Sequence, residues 1–159
     1  MSKKSFTLIE MVLVTTILAV IAVAVAPYIT IALDSWVVNK TERNLVFGAR
    51  LATNRMVREM REIKDTASIS TFTSTEFEFM DINDSTINYQ QSGTLLLRNA
   101  DELTDQLQDP GGLSFAYLDS SGNPTAAKND IRMVRITLVL ISGDISITIE
   151  SLANLRNAS

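Results

Sequence analysis

Glu10 has the clearest chemical potential in this sequence, because of where it stands. From Met11 to Leu33 run 23 residues without a charged side chain, enough for a helix to cross a ~30 Å hydrocarbon layer. Glu10 lies at the mouth of that run, with Phe6 to Ile9 on its other side and Lys3 and Lys4 before them. A carboxylate among membrane-facing residues costs roughly 2.5–3.5 kcal/mol unless it finds a partner, so the position marks a functional site. The rest of the chain offers little reactive chemistry. It contains no His and no Cys, which removes the usual zinc ligands, a disulfide framework and most nucleophile–base pairs. No serine stands in a Gly-x-Ser-x-Gly turn and no Gly-rich phosphate loop occurs. No catalytic residue, cofactor or metal is therefore expected, and the chain reads as a non-enzyme. The runs Asp81-Ile82-Asn83-Asp84 and Asp119-Ser120-Ser121-Gly122-Asn123 carry oxygens suited to calcium. Neither matches the calcium-loop pattern, and the same residue types build ordinary turns.

The elements that must position Glu10 follow from periodicity. Leu45, Ala49, Ala52, Met56, Met60 and Ile63 recur at three- and four-residue spacing and draw one apolar stripe on a helix. The bridge Asn39-Lys40-Thr41-Glu42-Arg43-Asn44 contains no Pro or Gly, so one long helix from Phe6 to about Lys64 is expected. Pro27 is the single breaker in its first half and predicts a kink near residues 23–27. Downstream the period changes to two. Strands are expected at Glu76–Phe79, Ile87–Tyr89, Thr94–Arg98 and Leu113–Leu118, and a hairpin joins Ile131–Ile141 to Asp144–Glu150 through Ser142-Gly143-Asp144. Asp101–Asp109 reads as a short helix or a loop. The fold expected is α+β: a long N-terminal helix, its first half transmembrane, packed on an antiparallel β-sheet.

Lys3 and Lys4 precede the apolar run, which keeps the N-terminus cytoplasmic and sends the rest across the membrane. Tyr28 and Trp36 suit the far interface. Ordinary secretion offers an alternative, with a cut after Ala24-Val25-Ala26, but the apolar run exceeds the usual 7–15 residues and Pro27 would follow the bond. A plain single-pass anchor explains the length and leaves Glu10 without a role. Lys40 to Lys64 holds seven basic residues against three acids, whereas Asp65 to Asp130 holds eleven acids against Arg98 and Lys128. Such runs are ordinarily solvated faces; in a self-stacking protein they also align basic stems with acidic heads. The acidic head argues against nucleic acid as main ligand.

Lys3-Lys4-Ser5-Phe6-Thr7-Leu8-Ile9-Glu10-Met11-Val12 resembles the start of type IV prepilin-like proteins. The resemblance implies a leader of residues 1–5 removed by a prepilin peptidase between Ser5 and Phe6, and N-methylation of Phe6. It implies a transmembrane half-helix over 6–33 that packs in a filament core, and a pilin-like head over 34–159. Glu10 would be the assembly residue, supplying a negative charge to the amine of Phe6 on its own or a neighbouring chain. The family usually has Gly before the cut, where Ser5 stands here. Met56-Val57-Arg58-Glu59-Met60-Arg61, Phe115-Ala116-Tyr117-Leu118-Asp119, Ile131 to Leu138 and Leu155-Arg156-Asn157 are similar to minor pilins of the W type and to J-class minor pseudopilins of type II secretion. The partners implied are the peptidase, other pilins or pseudopilins and the inner membrane, with the head periplasmic or extracellular. The rival class is a membrane-tethered binding module that uses the helix only as an anchor.

Overall fold

The structure, a computed structural model, describes residues 7–157. One helix, α1 (Leu8–Met60), covers 53 residues. The chain divides into two compact units, residues 1–40 and 41–159. The first holds the apolar part of α1. The second holds the remainder of α1 and eight strands: β1 (Ile69–Phe72), β2 (Glu76–Met80), β3 (Thr86–Ser92), β4 (Leu95–Arg98), β5 (Asp101–Thr104), β6 (Leu113–Leu118), β7 (Met133–Ser142) and β8 (Ile145–Asn154). They form a five-stranded sheet in the order β1-β2-β3-β4-β5 and a three-stranded sheet β6-β7-β8, antiparallel throughout. The α+β fold with its long N-terminal helix is as expected, with two sheets where one was read.

The six stripe residues from Leu45 to Ile63 are all buried and share one core with the inner faces of both sheets. On β7, Val134, Ile136, Leu138 and Leu140 are fully buried, as their alternation requires. Phe77 of β2 joins the sheets: its ring centroid lies 5.7 Å from Phe115 and 5.4 Å from Tyr117 of β6. The Tyr117 hydroxyl donates to the Thr73 carbonyl at 2.7 Å, and burial pushes that phenol well above its ordinary pKa.

Three expectations need correction. The helix ends at Met60, short of Lys64, because the following backbone joins the sheet: Ile82 N–H donates to the Glu62 carbonyl at 2.9 Å, and Lys64 N–H to the Met80 carbonyl at 3.2 Å. β1 was not anticipated; its apolar residues, Ile69 and Phe72, fall off a two-residue alternation. Asp101–Asp109, read as helix or loop, begins with β5. The turn into β5 has positive φ at both central residues, 49° at Asn99 and 73° at Ala100, a conformation that favours Asn-Gly. Ala100 conceals that signal. Its side chain disfavours the left-handed region, so Ala100→Gly is expected to raise the urea-unfolding free energy by about 1 kcal/mol. An unchanged or lowered midpoint would contradict this turn geometry.

Candidate functional site

Glu10 lies in the first turn of α1. Its N–H faces Thr7, 3.1 Å from the carbonyl and 3.3 Å from the hydroxyl oxygen, and Met11 N–H reaches the same carbonyl at 3.2 Å. Thr7 is thus the N-cap, and Thr7-x-x-Glu10 has the spacing of a capping box. The positive end of the helix dipole also favours a carboxylate there. This second role of Glu10 was legible in the sequence and was missed. Ser5 and Phe6, the positions where the resemblance implies cleavage and methylation, lie outside the described residues.

Beyond Glu10 the helix surface is apolar and bare. Leu8, Val23, Tyr28 and Trp36 are 83%, 77%, 72% and 64% exposed. It is the one helix among the described residues long and apolar enough to cross a membrane. Hydroxyls on this surface turn back on the helix: Thr16 donates to the Val12 carbonyl at 2.8 Å and Thr30 to the Pro27 carbonyl at 2.8 Å. These threonine hydroxyls need not then face hydrocarbon unpaired. α1 continues through Pro27, whose missing N–H leaves the carbonyl four residues earlier without its helical donor. Past the uncharged run, the Lys40 ammonium sits 5.5 Å from the Trp36 ring centroid, a cation–π contact between two residue types suited to a membrane interface.

Among the described residues of the head, one buried charged cluster surrounds Glu59. Glu59 lies in the last turn of α1, where the helix dipole disfavours a carboxylate. Its Oε2 accepts from the Tyr89 hydroxyl at 2.6 Å and from Arg98 Nε at 2.8 Å; its Oε1 accepts from Arg55 Nε at 3.0 Å. Burial raises the Glu59 pKa, but the bonds from Arg98, Tyr89 and Arg55 outweigh it and hold the carboxyl below its ordinary value. Burial first, then the hydrogen bond to Glu59 and its charge, pushes the Tyr89 phenol far above its usual range. With both oxygens engaged, Glu59 is positioned to lock α1 to β3 and β4 and has no geometry for proton transfer to a ligand. Glu59 stands among the apolar positions Met56, Met60 and Ile63, a signal the charge count overlooked.

The two oxygen-rich runs are loops closed on themselves. Asp81 Oδ1 accepts from Asn83 and Ser85 N–H at 2.8 and 2.9 Å. Asp119 Oδ1 accepts from Ser121 and Asn123 N–H at 2.8 and 2.9 Å. Those backbone bonds lower both carboxyl pKa values, as in ordinary Asx turns. Among the described residues no group of three or more His, Cys, Asp or Glu side chains is placed to hold a metal. No family model matches the chain, and neither a curated protein nor a solved structure matches it.

Proposed function

We propose that this chain is a minor structural subunit of a type IV filament system, a pilus or a secretion pseudopilus. In this reading a prepilin peptidase cuts between Ser5 and Phe6, Phe6 is N-methylated, and the apolar helix passes from the inner membrane into the filament core. The head then makes contacts with neighbouring pilins or pseudopilins rather than performing catalysis. The observation that carries the reading is Glu10, a lone carboxylate in the first turn of α1, directly ahead of the uncharged run Met11 to Leu33, whose large apolar side chains are exposed. A plain anchor gains nothing from an acid there beyond a cap. A subunit that packs helix against helix gains a register device, because a misplaced neighbour leaves a charge unpaired in an apolar surrounding. The basic Lys40–Lys64 stem and the acidic stretch beyond it also suit subunits that stack.

Intact-mass and N-terminal peptide analysis of the chain from its native membrane tests the processing step. The expected mature chain begins at N-methylated Phe6, and Ser5→Gly should process at least as well. Chains beginning at Pro27 would replace this reading with ordinary secretion; chains retaining Met1 would favour a permanent anchor.

A further inference from the structure

β8 lies at the end of its sheet and pairs with β7 over ten consecutive residues without a bulge. The two-residue turn at Gly143 and Asp144 is closed by Ser142 and Ile145, the hydrogen-bonded pair of such a hairpin. Alternation along an antiparallel ladder then directs the N–H and C=O groups of Ile145, Ile147, Ile149, Ser151 and Ala153 toward β7. Leu155 N–H, two residues past Ala153, donates to the Arg132 carbonyl at 2.9 Å and keeps the same phase. The backbone groups of Ser146, Thr148, Glu150 and Leu152 therefore point away from the sheet. Among the described residues no other backbone takes them.

Sheet edges are usually guarded by shortness, charge, proline or a bulge. β1 and β5 are four residues long, and β5 carries Asp101 and Glu102. β8 has none of these guards except Glu150, whose carboxylate is paired with Arg135 at 2.9 Å. Five successive residues, Ile147 to Ser151, line an open groove of about 630 Å³ with Val46, Arg50 and Asn54 of α1. Neighbouring strand residues face opposite sides, so a groove touching all five runs along the strand's edge. Ile145, Ile147 and Ile149 are only half-buried there, whereas their β7 neighbours Leu138 and Leu140 are fully buried. Arg50 is exposed and has no ion-pair partner among the described residues.

We propose that this groove takes up an extended strand from a partner chain, one that alternates apolar residues with an acid. The backbone of such a strand would satisfy the outward groups of β8, its apolar side chains would cover the isoleucines, and its acid would meet Arg50. A second copy fits poorly. The one acid on β8 itself, Glu150, is already paired with Arg135, so a second copy of the strand brings no free acid of its own to Arg50. The inference rests on the head alone and stands or falls separately from the filament reading.

The test uses the full chain in detergent micelles, titrated with a nine-residue synthetic peptide that alternates valine with threonine and glutamate. Amide hydrogen exchange, resolved by NMR, is expected to slow at least tenfold at Ser146, Thr148, Glu150 and Leu152. Thr148→Pro removes an outward donor and no β7 bond, and should abolish the protection. Arg50→Glu, on the exposed helix surface, should weaken binding at least tenfold and reverse the preference toward a lysine-containing version of the peptide. The proposal is overturned by unchanged exchange at millimolar peptide, or by protection that both substitutions leave intact. It is equally overturned if the same amides become protected with rising protein concentration and no peptide, which would make a second copy the occupant.

Discussion

On the filament reading proposed above, replacing Glu10 with leucine is expected to leave membrane insertion and processing intact and to lower the subunit's share in purified filaments at least tenfold. In the filament reading Glu10 is the fifth residue of the mature chain, and its carboxylate would pair with the new terminal amine on its own or a neighbouring chain. An ammonium without its counter-charge among apolar helices costs roughly 2.5–3.5 kcal/mol. Since about 1.4 kcal/mol is a factor of ten in an equilibrium constant, a tenfold loss asks for about half of that cost. The capping geometry at Thr7 supplies a sharp control. A capping box accepts Gln as well as Glu at its third position, so Glu10→Gln keeps the helix start and removes only the charge. If Glu10→Gln assembles like the wild type, the role of Glu10 is the cap, and assembly does not use its charge. If Gln fails as Leu does, the charge is what assembly uses. Glu10→Asp should fall between, its shorter side chain reaching less far. The quantity to measure is the ratio of subunit in sheared filaments to subunit in membranes.

Glu59→Gln is the most damaging single change expected in the head. It keeps the shape and an acceptor for Tyr89, but leaves the Arg98 guanidinium, whose side chain is 20% exposed, beside a neutral group. Removing one partner of a buried ion pair costs about 3–5 kcal/mol when burial is complete, and the partial exposure here places the expectation at about 3 kcal/mol. That corresponds to a fall of roughly 10 °C in the melting temperature of a domain this size. Arg55 is nearly half exposed and its loss should matter much less. Replacing Glu59, Arg98 and Tyr89 together by Leu, Met and Phe should recover more than half of the loss, since the one charge then left without its partner, Arg55, is nearly half exposed. The pH dependence carries a definite sign. Glu59 has a depressed folded-state pKa, so its contribution is complete above the ordinary glutamate range and is lost as pH falls through the folded value. Glu59→Gln should lack that part of the acid destabilisation. Calorimetric curves of the two proteins that stay parallel from neutral pH to pH 3 would contradict this account.

The sequence by itself determined what depends on local pattern. An uncharged run longer than a bilayer is thick marks a candidate span in any fold, and the three- and four-residue recurrence from Leu45 to Ile63 selects the buried face of α1. Alternation from Val134 to Leu140, with Gly143 able to adopt a φ of 59°, likewise determined the β7–β8 hairpin. The capping spacing of Thr7 and Glu10 is equally local and was readable. Tertiary structure decided what depends on distant partners. Whether Glu59 is a solvated charge or a buried clasp is set by Tyr89 and Arg98, 30 and 39 residues away. The helix stops at Met60 because the backbone of Glu62 and Lys64 finds partners at Ile82 and Met80, and no residue type at the boundary announces that. β5 follows a turn whose strained Ala100 hides the usual Asn-Gly signature, so pairing with β4 overrides local preference. The open edge of β8 is likewise a property of strand order: alternation specifies a strand, and only the assembled sheet decides which of its sides stays unpaired.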